Sequence, residues 1–246
     1  MSARLVRVVF EVGRPEVVGR FWAGVLGWVV AVEGAGMVEV AGVDPEGVEV
    51  GLAFVGGRDV GRKRGKNRIH LDVGSRSVEH QRRQVDRALA LGARRIDIGQ
   101  GEVPWVVMAD PEGNEFCVLE PREQYVDTGA VAAIVVDARD PAGLARFWAA
   151  AVGWPITHEE DRFTGIRAAT GQGPWLEFLR STEEPPDHGR LHLDLTSFPA
   201  DDPAEEIARL RAAGAKTLPP TDSAAGTVLL ADPETYRFRL LPSRSD

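Results

Sequence analysis

Cysteine occurs once in the 246 residues, as Cys117, so no disulfide can close within the chain. That usage agrees with a reducing compartment. No apolar run approaches the ~18 residues that a membrane helix needs. The N-terminal stretch MSARLVRVVFEVGR enters an alternating strand pattern at once, without the features of a secretory leader. These absences predict a cytoplasmic protein with no membrane partner. Basic residues are also in deficit: the formal charge of −8 argues against a nucleic-acid partner, which favours a basic surface. One basic run, RDVGRKRGKNR (58–68), stands against that trend; it reads as a solvated loop, with an electrostatic patch as the alternative. The GxSxG, P-loop and GxGxxG templates are missing from any strand-turn-helix context.

What is present is repetition. FWAGVLGW (21–28) returns as FWAAAVGW (147–154), NRIHLDV (67–73) as GRLHLDL (189–195), and VMADPEGNEF (107–116) as LLADPETYRF (229–238). The offsets are 147 − 21 = 126, 192 − 70 = 122 and 232 − 110 = 122, so the second copy has lost four residues between its first helix and its HLD strand. The chain therefore divides into two homologous domains, 1–122 and 130–246, each long enough to bury a core.

Periodicity supplies the elements. In LVRVVFEV (5–12), Val6, Val8, Phe10 and Val12 alternate with Leu5, Arg7, Val9 and Glu11, as a strand requires. In RPEVVGRFWAGVLG, Val18, Phe21, Trp22 and Val25 fall at helical spacing, with Gly27 able to end the helix. Core packing is the reading for Phe21 and Trp22, with ligand contact as the alternative. Asp140 and Pro141 make a helix start, and Gly92 and Gly214 stand at helix ends. Each half thus reads strand, helix, three strands, twice over. One local mismatch stands out: Gly113 in ADPEGNEF is replaced by Thr235 in ADPETYRF, so either the turn type changes or the second half tolerates strain.

This order, with FW…LGW, NRIHLD and DPEGNEF at matching spacing in both halves, resembles the vicinal oxygen chelate superfamily in its glyoxalase-like branch, over essentially the whole chain. The resemblance implies an α+β fold: four βαβββ modules, paired within each half, form two glyoxalase-like open barrels with helices outside and a ligand cavity inside. It also implies a small-molecule partner, and either lyase- or isomerase-type chemistry or non-catalytic sequestration of a toxin or antibiotic, as in bleomycin-resistance-like relatives. A fused pseudo-dimer that stays monomeric, or a homodimer, completes the expectation.

Metal enzymes of that superfamily place four ligands on the cavity face. Carried across, those positions hold Arg7, His70, Cys117 and a residue near Glu49 in the first half, and Ala133, His192, Arg239 and a residue near Glu177 in the second. Arginine stays protonated and repels a cation. No cofactor is therefore expected, the alternative being one divalent metal ion in the first domain on His70, Glu49 and Cys117.

Strand parity identifies the cavity faces independently. In RIHLDV the apolar Ile69, Leu71 and Val73 suit a helix-covered side, leaving Arg68, His70 and Asp72 on the other; Arg190, His192 and Asp194 repeat the split. The first cavity is then expected to gather Arg7, Glu11, Arg68, His70, Asp72, Glu115 and Cys117, and the second Arg190, His192, Asp194, Arg237 and Arg239. One reading is a network of ion pairs between strands. The other makes His70 a general base or hydrogen-bond donor whose pKa is raised by Asp72 or Glu11, with Arg7, Arg68, Glu115 and Cys117 contacting the ligand. Arg239 should push His192 toward neutrality, and the arginine-rich second cavity would suit a carboxylate or phosphate. Trp105 and Trp175, each following a proline at a strand start, are candidate apolar walls, with core or rim as the alternative. Cys117 lacks the surroundings that activate a nucleophile. His80, His158 and His188 read as helix-face, strand-end and loop residues.

Overall fold

A computed structural model describes residues 3–34, 36–42, 50–57, 63, 65–182, 189–219 and 226–243. Four strand-helix-strand modules follow one another. The first comprises β1 (Arg4–Val12), α1 (Pro15–Leu26), β2 (Val29–Gly34), β3 (Met37–Ala41) and β4 (Gly51–Gly56); the second β5 (Ile69–Val73), α2 (Val78–Ala90), β6 (Arg94–Arg95), β7 (Val106–Ala109) and β8 (Glu115–Val118). The third comprises β9 (Val131–Ala138), α3 (Pro141–Val152), β10 (Ile156–Glu159), β11 (Phe163–Ile166) and β12 (Trp175–Arg180); the fourth β13 (Leu191–Thr196), α4 (Pro203–Ala212), β14 (Lys216–Thr217), β15 (Val228–Ala231) and β16 (Arg237–Leu241). Among the described residues no helix is long and apolar enough to cross a membrane.

The strands form two mixed eight-stranded sheets, ordered β14-β15-β16-β13-β1-β4-β3-β2 and β10-β11-β12-β9-β5-β8-β7-β6. This corrects the expected pairing within halves. The first sheet joins modules one and four through the antiparallel β1–β13 ladder, and the second joins modules two and three through β5–β9. Both halves therefore contribute to each polar sheet face.

The repeated FW phrase explains how each half nevertheless holds together. Val18, Phe21, Trp22 and Val25 are all buried on α1. Trp22 packs edge-on against Phe116 of β8 at 5.0 Å and donates to Asp110 at 3.3 Å; Trp148 repeats this with Phe238 at 5.1 Å and Asp232 at 3.3 Å. The first helix of each half is thereby fixed to the last strand of the same half. Its dipeptide is core, as periodicity indicated, and its indole satisfies a buried carboxylate. Gly27 and Gly153 close α1 and α3 with φ of 70° and 71°. For α2 and α4 the caps are Leu91 and Ala213, and Gly92 and Gly214 follow them with positive φ.

Turns tie the halves into one body. Glu234 accepts from the backbone N–H groups of Arg139 and Asp140 and pairs with Arg68 at 2.6 Å. Glu112, its counterpart, accepts from the Gly13 N–H, and its carbonyl lies 3.5 Å from the Arg190 guanidinium. Arg68 and Arg190, expected to bind ligand, thus connect one half to the other. The turn itself is conserved in geometry: Gly113 donates to the Asp110 carbonyl and Thr235 to that of Asp232, each at 2.9 Å, with φ of 86° and 68°. Thr235 therefore carries strain in the same turn. Thr235→Gly is expected to raise stability by about 1 kcal/mol, measured by urea denaturation.

Candidate active site on the second sheet

Cross-strand neighbours define the polar face of the second sheet. Asp72 on β5 lies opposite Ala133 on β9 and beside Cys117 on β8, and Ala133 lies beside Trp175 on β12. One row along, His70 lies opposite Val135, which lies beside Glu177. Glu177 therefore shares a face with His70, where sequence reasoning had assigned it to the other cavity. His70, Asp72, Cys117 and Glu177 are all less than 10% exposed.

Two further segments meet this face. Lys63 pairs with Glu115, and Lys66 lies 2.7 Å from Asp137. The described cations of the basic run are thus spent inside, not displayed as a patch: Lys63, Lys66 and Arg68 are each in an ion pair. Residues 119–130 bring a 3-10 turn (Glu123–Tyr125) over the sheet, where the Tyr125 hydroxyl donates to Glu177 at 2.9 Å and Gln124 donates to the same oxygen at 3.3 Å. Trp105, half-buried, and Trp175, buried, stand on this side, with Arg122 over Trp105 at 5.4 Å. Gly165 leaves room for the Trp175 indole, whose ring atoms would lie 2.8 Å from any added Cβ.

Burial sets the protonation states. It pushes Asp72 up to about 8, with Glu177 adding repulsion, and pushes Glu177 to about 7 despite the Tyr125 hydrogen bond. Burial and then Lys66 bring His70 down to about 3, so the imidazole is neutral. The Cys117 thiol, which donates a hydrogen bond to Asp72, has its pKa pushed up by burial. His70 Nε2 lies 3.6 Å from Asp72 Oδ1, beyond hydrogen-bond reach. A neutral imidazole beside a protonated acid is not an ion pair. The expectation that Asp72 or Glu11 raises the His70 pKa is corrected by the dominance of desolvation.

The equivalent face of the first sheet is wired differently. Asp194, at the position of Asp72, receives Arg7 and Arg239 at 2.7 Å each, and Arg7 also meets Glu39. Burial alone would raise the Asp194 pKa, but Arg239 and then Arg7 bring it below the ordinary carboxylate range. Burial, then Arg239, lowers His192 to about 3, the direction expected from its neighbour. Glu11 approaches His192 at 3.9 Å and so belongs here. Ala53 occupies the place that Glu177 holds in the second sheet. Arg7 and Glu11 therefore do not join His70, the physical reason being the strand order.

The remaining histidines are accounted for locally. The His80 backbone N–H donates to the Ser77 hydroxyl at the start of α2, and His158 stacks on Phe163 at 4.3 Å. Glu49 and His188 lie outside the described residues. Glu177 and Tyr125 are what sequence reasoning missed at this site. Parity would have placed Glu177 here had the module pairing been known.

Comparison with known proteins completes the picture. The glyoxalase-like domain family matches residues 7–119 and 133–241. No curated protein sequence matches significantly. The fold is similar to that of glyoxalase I from Zea mays, at 14% identity and a TM-score of 0.69 over 98% of this chain and 92% of that one. It is also similar to a putative dioxygenase from Bacillus subtilis, at 15% identity and a TM-score of 0.64 over 99% and 86%.

Proposed function

Because the chain belongs to the glyoxalase-like domain family, we propose that the polar face of its second sheet binds a small organic molecule and that Glu177 transfers a proton on it, a lyase- or isomerase-type role. What supports this reading is the buried Glu177 carboxyl on the sheet face that also carries the buried Asp72, bonded by the Tyr125 hydroxyl, near the Trp175 indole, and raised by burial to about 7. A general acid-base group works best with a pKa near the operating pH. Glu177 accepts a proton from a carbon acid; in the ligand-free protein Tyr125 and Gln124 donate hydrogen bonds to its carboxyl group. Asp72, protonated at neutral pH, donates to the oxygen on which charge develops. Neutral His70 is a further hydrogen-bonding group and not the primary acid.

The alternative expectation, one divalent cation in the first domain, also finds donors on this face. His70, Asp72 and Cys117 each offer a donor atom, all within 4.8 Å of one another. His70 Nδ1 and Asp72 Oδ1 are buried without hydrogen-bond partners. Deprotonated on binding, the histidine, carboxylate and thiolate donors of this set would suit zinc. A cation held there supplies Lewis-acid polarisation of a ligand oxygen. Glu177, outside the trio, keeps its role in either case. Among the described residues the first sheet offers no comparable set, and Arg7 and Arg239 flank Asp194.

Hydrogen-deuterium exchange tests the proposal. In D2O, a panel of carbonyl compounds with acidic C–H groups is followed by proton NMR. Wild-type protein is expected to accelerate wash-in for at least one compound, and Glu177→Gln to lose about 100-fold or more of that rate. Non-catalytic sequestration, which the aromatic lining favours, instead gives saturable binding with no exchange, and that outcome would sink proton transfer.

A further inference from the structure

The connection 119–130 carries an aromatic side chain into the site it covers. The Tyr125 ring packs against two apolar patches of the second sheet, one around Cys117 and Leu119 and the other around Ala133 and Trp175. Its hydroxyl donates to Glu177 at 2.9 Å. The turn borders a cleft of about 980 Å³ whose lining includes Trp28, Gln84, Arg87, Arg122, Tyr125 and Val126. Val126, next in the chain, is 70% exposed. Among the described residues, Gln124 and Tyr125 meet the sheet through the two hydrogen bonds to Glu177 and one from the Trp175 indole to the Gln124 carbonyl at 3.3 Å; the Gly173 N–H donates to Asp127 at 3.1 Å, the Thr128 hydroxyl donates to the Tyr125 carbonyl at 3.0 Å, and the ends of the connection are tied to β5 by Leu119 to Val73 and Gly74 to Ala130.

Tyr125 is thus a tethered phenol seated between aromatic and aliphatic walls, with its hydroxyl on the group assigned to chemistry and free volume bordering the turn. We propose that it occupies the ligand's own place: the site takes an aromatic hydroxyl compound, whose ring replaces that of Tyr125 between the two patches and whose hydroxyl takes over the hydrogen bond to Glu177. The turn moves back into the cleft as the ligand enters. A hydroxyl is required, and not merely an arene, because withdrawing Tyr125 and Gln124 leaves Glu177 buried without donors, a state that disfavours any ligand unable to replace them. The inference rests on the reading that the second-sheet face is the small-molecule site, and is independent of whether a proton is then transferred.

The test is equilibrium binding of 1-naphthol and of the similarly shaped 1-methylnaphthalene to the full chain, by calorimetry at pH 7. Wild-type protein is expected to prefer 1-naphthol by about tenfold or more, the equivalent of one replaced hydrogen bond. Tyr125→Phe keeps the ring and removes the competing hydroxyl. It should tighten both probes severalfold and by about the same factor, because each must displace residue 125, so that the preference for 1-naphthol is retained. In wild-type protein, saturating 1-naphthol should also accelerate protease cleavage within 119–130, a readout that does not depend on any variant folding. Equal affinity for both probes, no saturable binding, or a 119–130 segment that ligand protects from cleavage would overturn the proposal and leave Tyr125 as a structural plug. Preferential naphthol binding without deuterium exchange on any carbon acid would refute proton transfer alone; exchange without naphthol preference would refute this inference alone.

Discussion

Asp72→Asn is expected to stabilise the protein at pH 8 by several kcal/mol. The carboxyl sits 8% exposed, with Glu177 raising the cost of its charge and Cys117 only partly offsetting it. Its pKa in the folded protein, about 8, lies above the ordinary 3.8. The folded state therefore holds the proton more tightly than the unfolded chain, and stability falls as pH rises from about 4 to about 8. Each unit of displacement is worth about 1.4 kcal/mol. Asparagine has the same shape and no proton to lose, so its advantage should be large at pH 8 and shrink toward pH 4. Urea denaturation of both proteins across that range measures it; a variant that is less stable at pH 8 would mean that Asp72 is ionised in the fold. A residue kept against stability is a mark of a site selected for chemistry.

The same substitution on the other sheet should act with the opposite sign. Asp194 is fully buried between Arg7 and Arg239, and its pKa is lowered. A depressed carboxylate contributes stability above its unfolded pKa and loses it as pH falls through the folded value. Asp194→Asn leaves two largely buried guanidinium groups facing each other without their shared anion. It should destabilise the protein at pH 7 by about 3–5 kcal/mol, the scale for breaking a buried pair from one side. The loss should diminish in strong acid, where wild-type Asp194 is itself protonated. If the two variants behaved alike, the division into a chemically poised face and a structurally neutralised one would fail.

Much of this arrangement was legible from the amino-acid order. The three twice-written phrases gave the two halves, the FW spacing gave the core face of α1, and strand parity put His70 and Asp72 on one side and Leu71 on the other. Module pairing was not legible, because the connections 57–68 and 119–130 are equally long and either could close a sheet. Strand order is a nonlocal property, and no periodicity encodes it. That single ambiguity sent Arg7 and Glu11 to the wrong face and Glu177 away from His70. Tyr125 was invisible for a related reason: it sits in a connection with no repeating pattern, and only the folded chain brings it over the sheet. The sign of the His70 shift was also out of reach, since it turns on burial on both sides of β5.

The most direct test of the central claim is a carbon-13 NMR titration of the glutamate side-chain carboxyls, with the Glu177 resonance assigned by its loss in Glu177→Gln. A midpoint near 7 is the predicted result, and it would identify a carboxyl group poised for proton transfer on the second sheet. A midpoint in the ordinary range, near about 4.3, would mean that Glu177 is ionised throughout neutral pH and would contradict its assignment as the acid-base group.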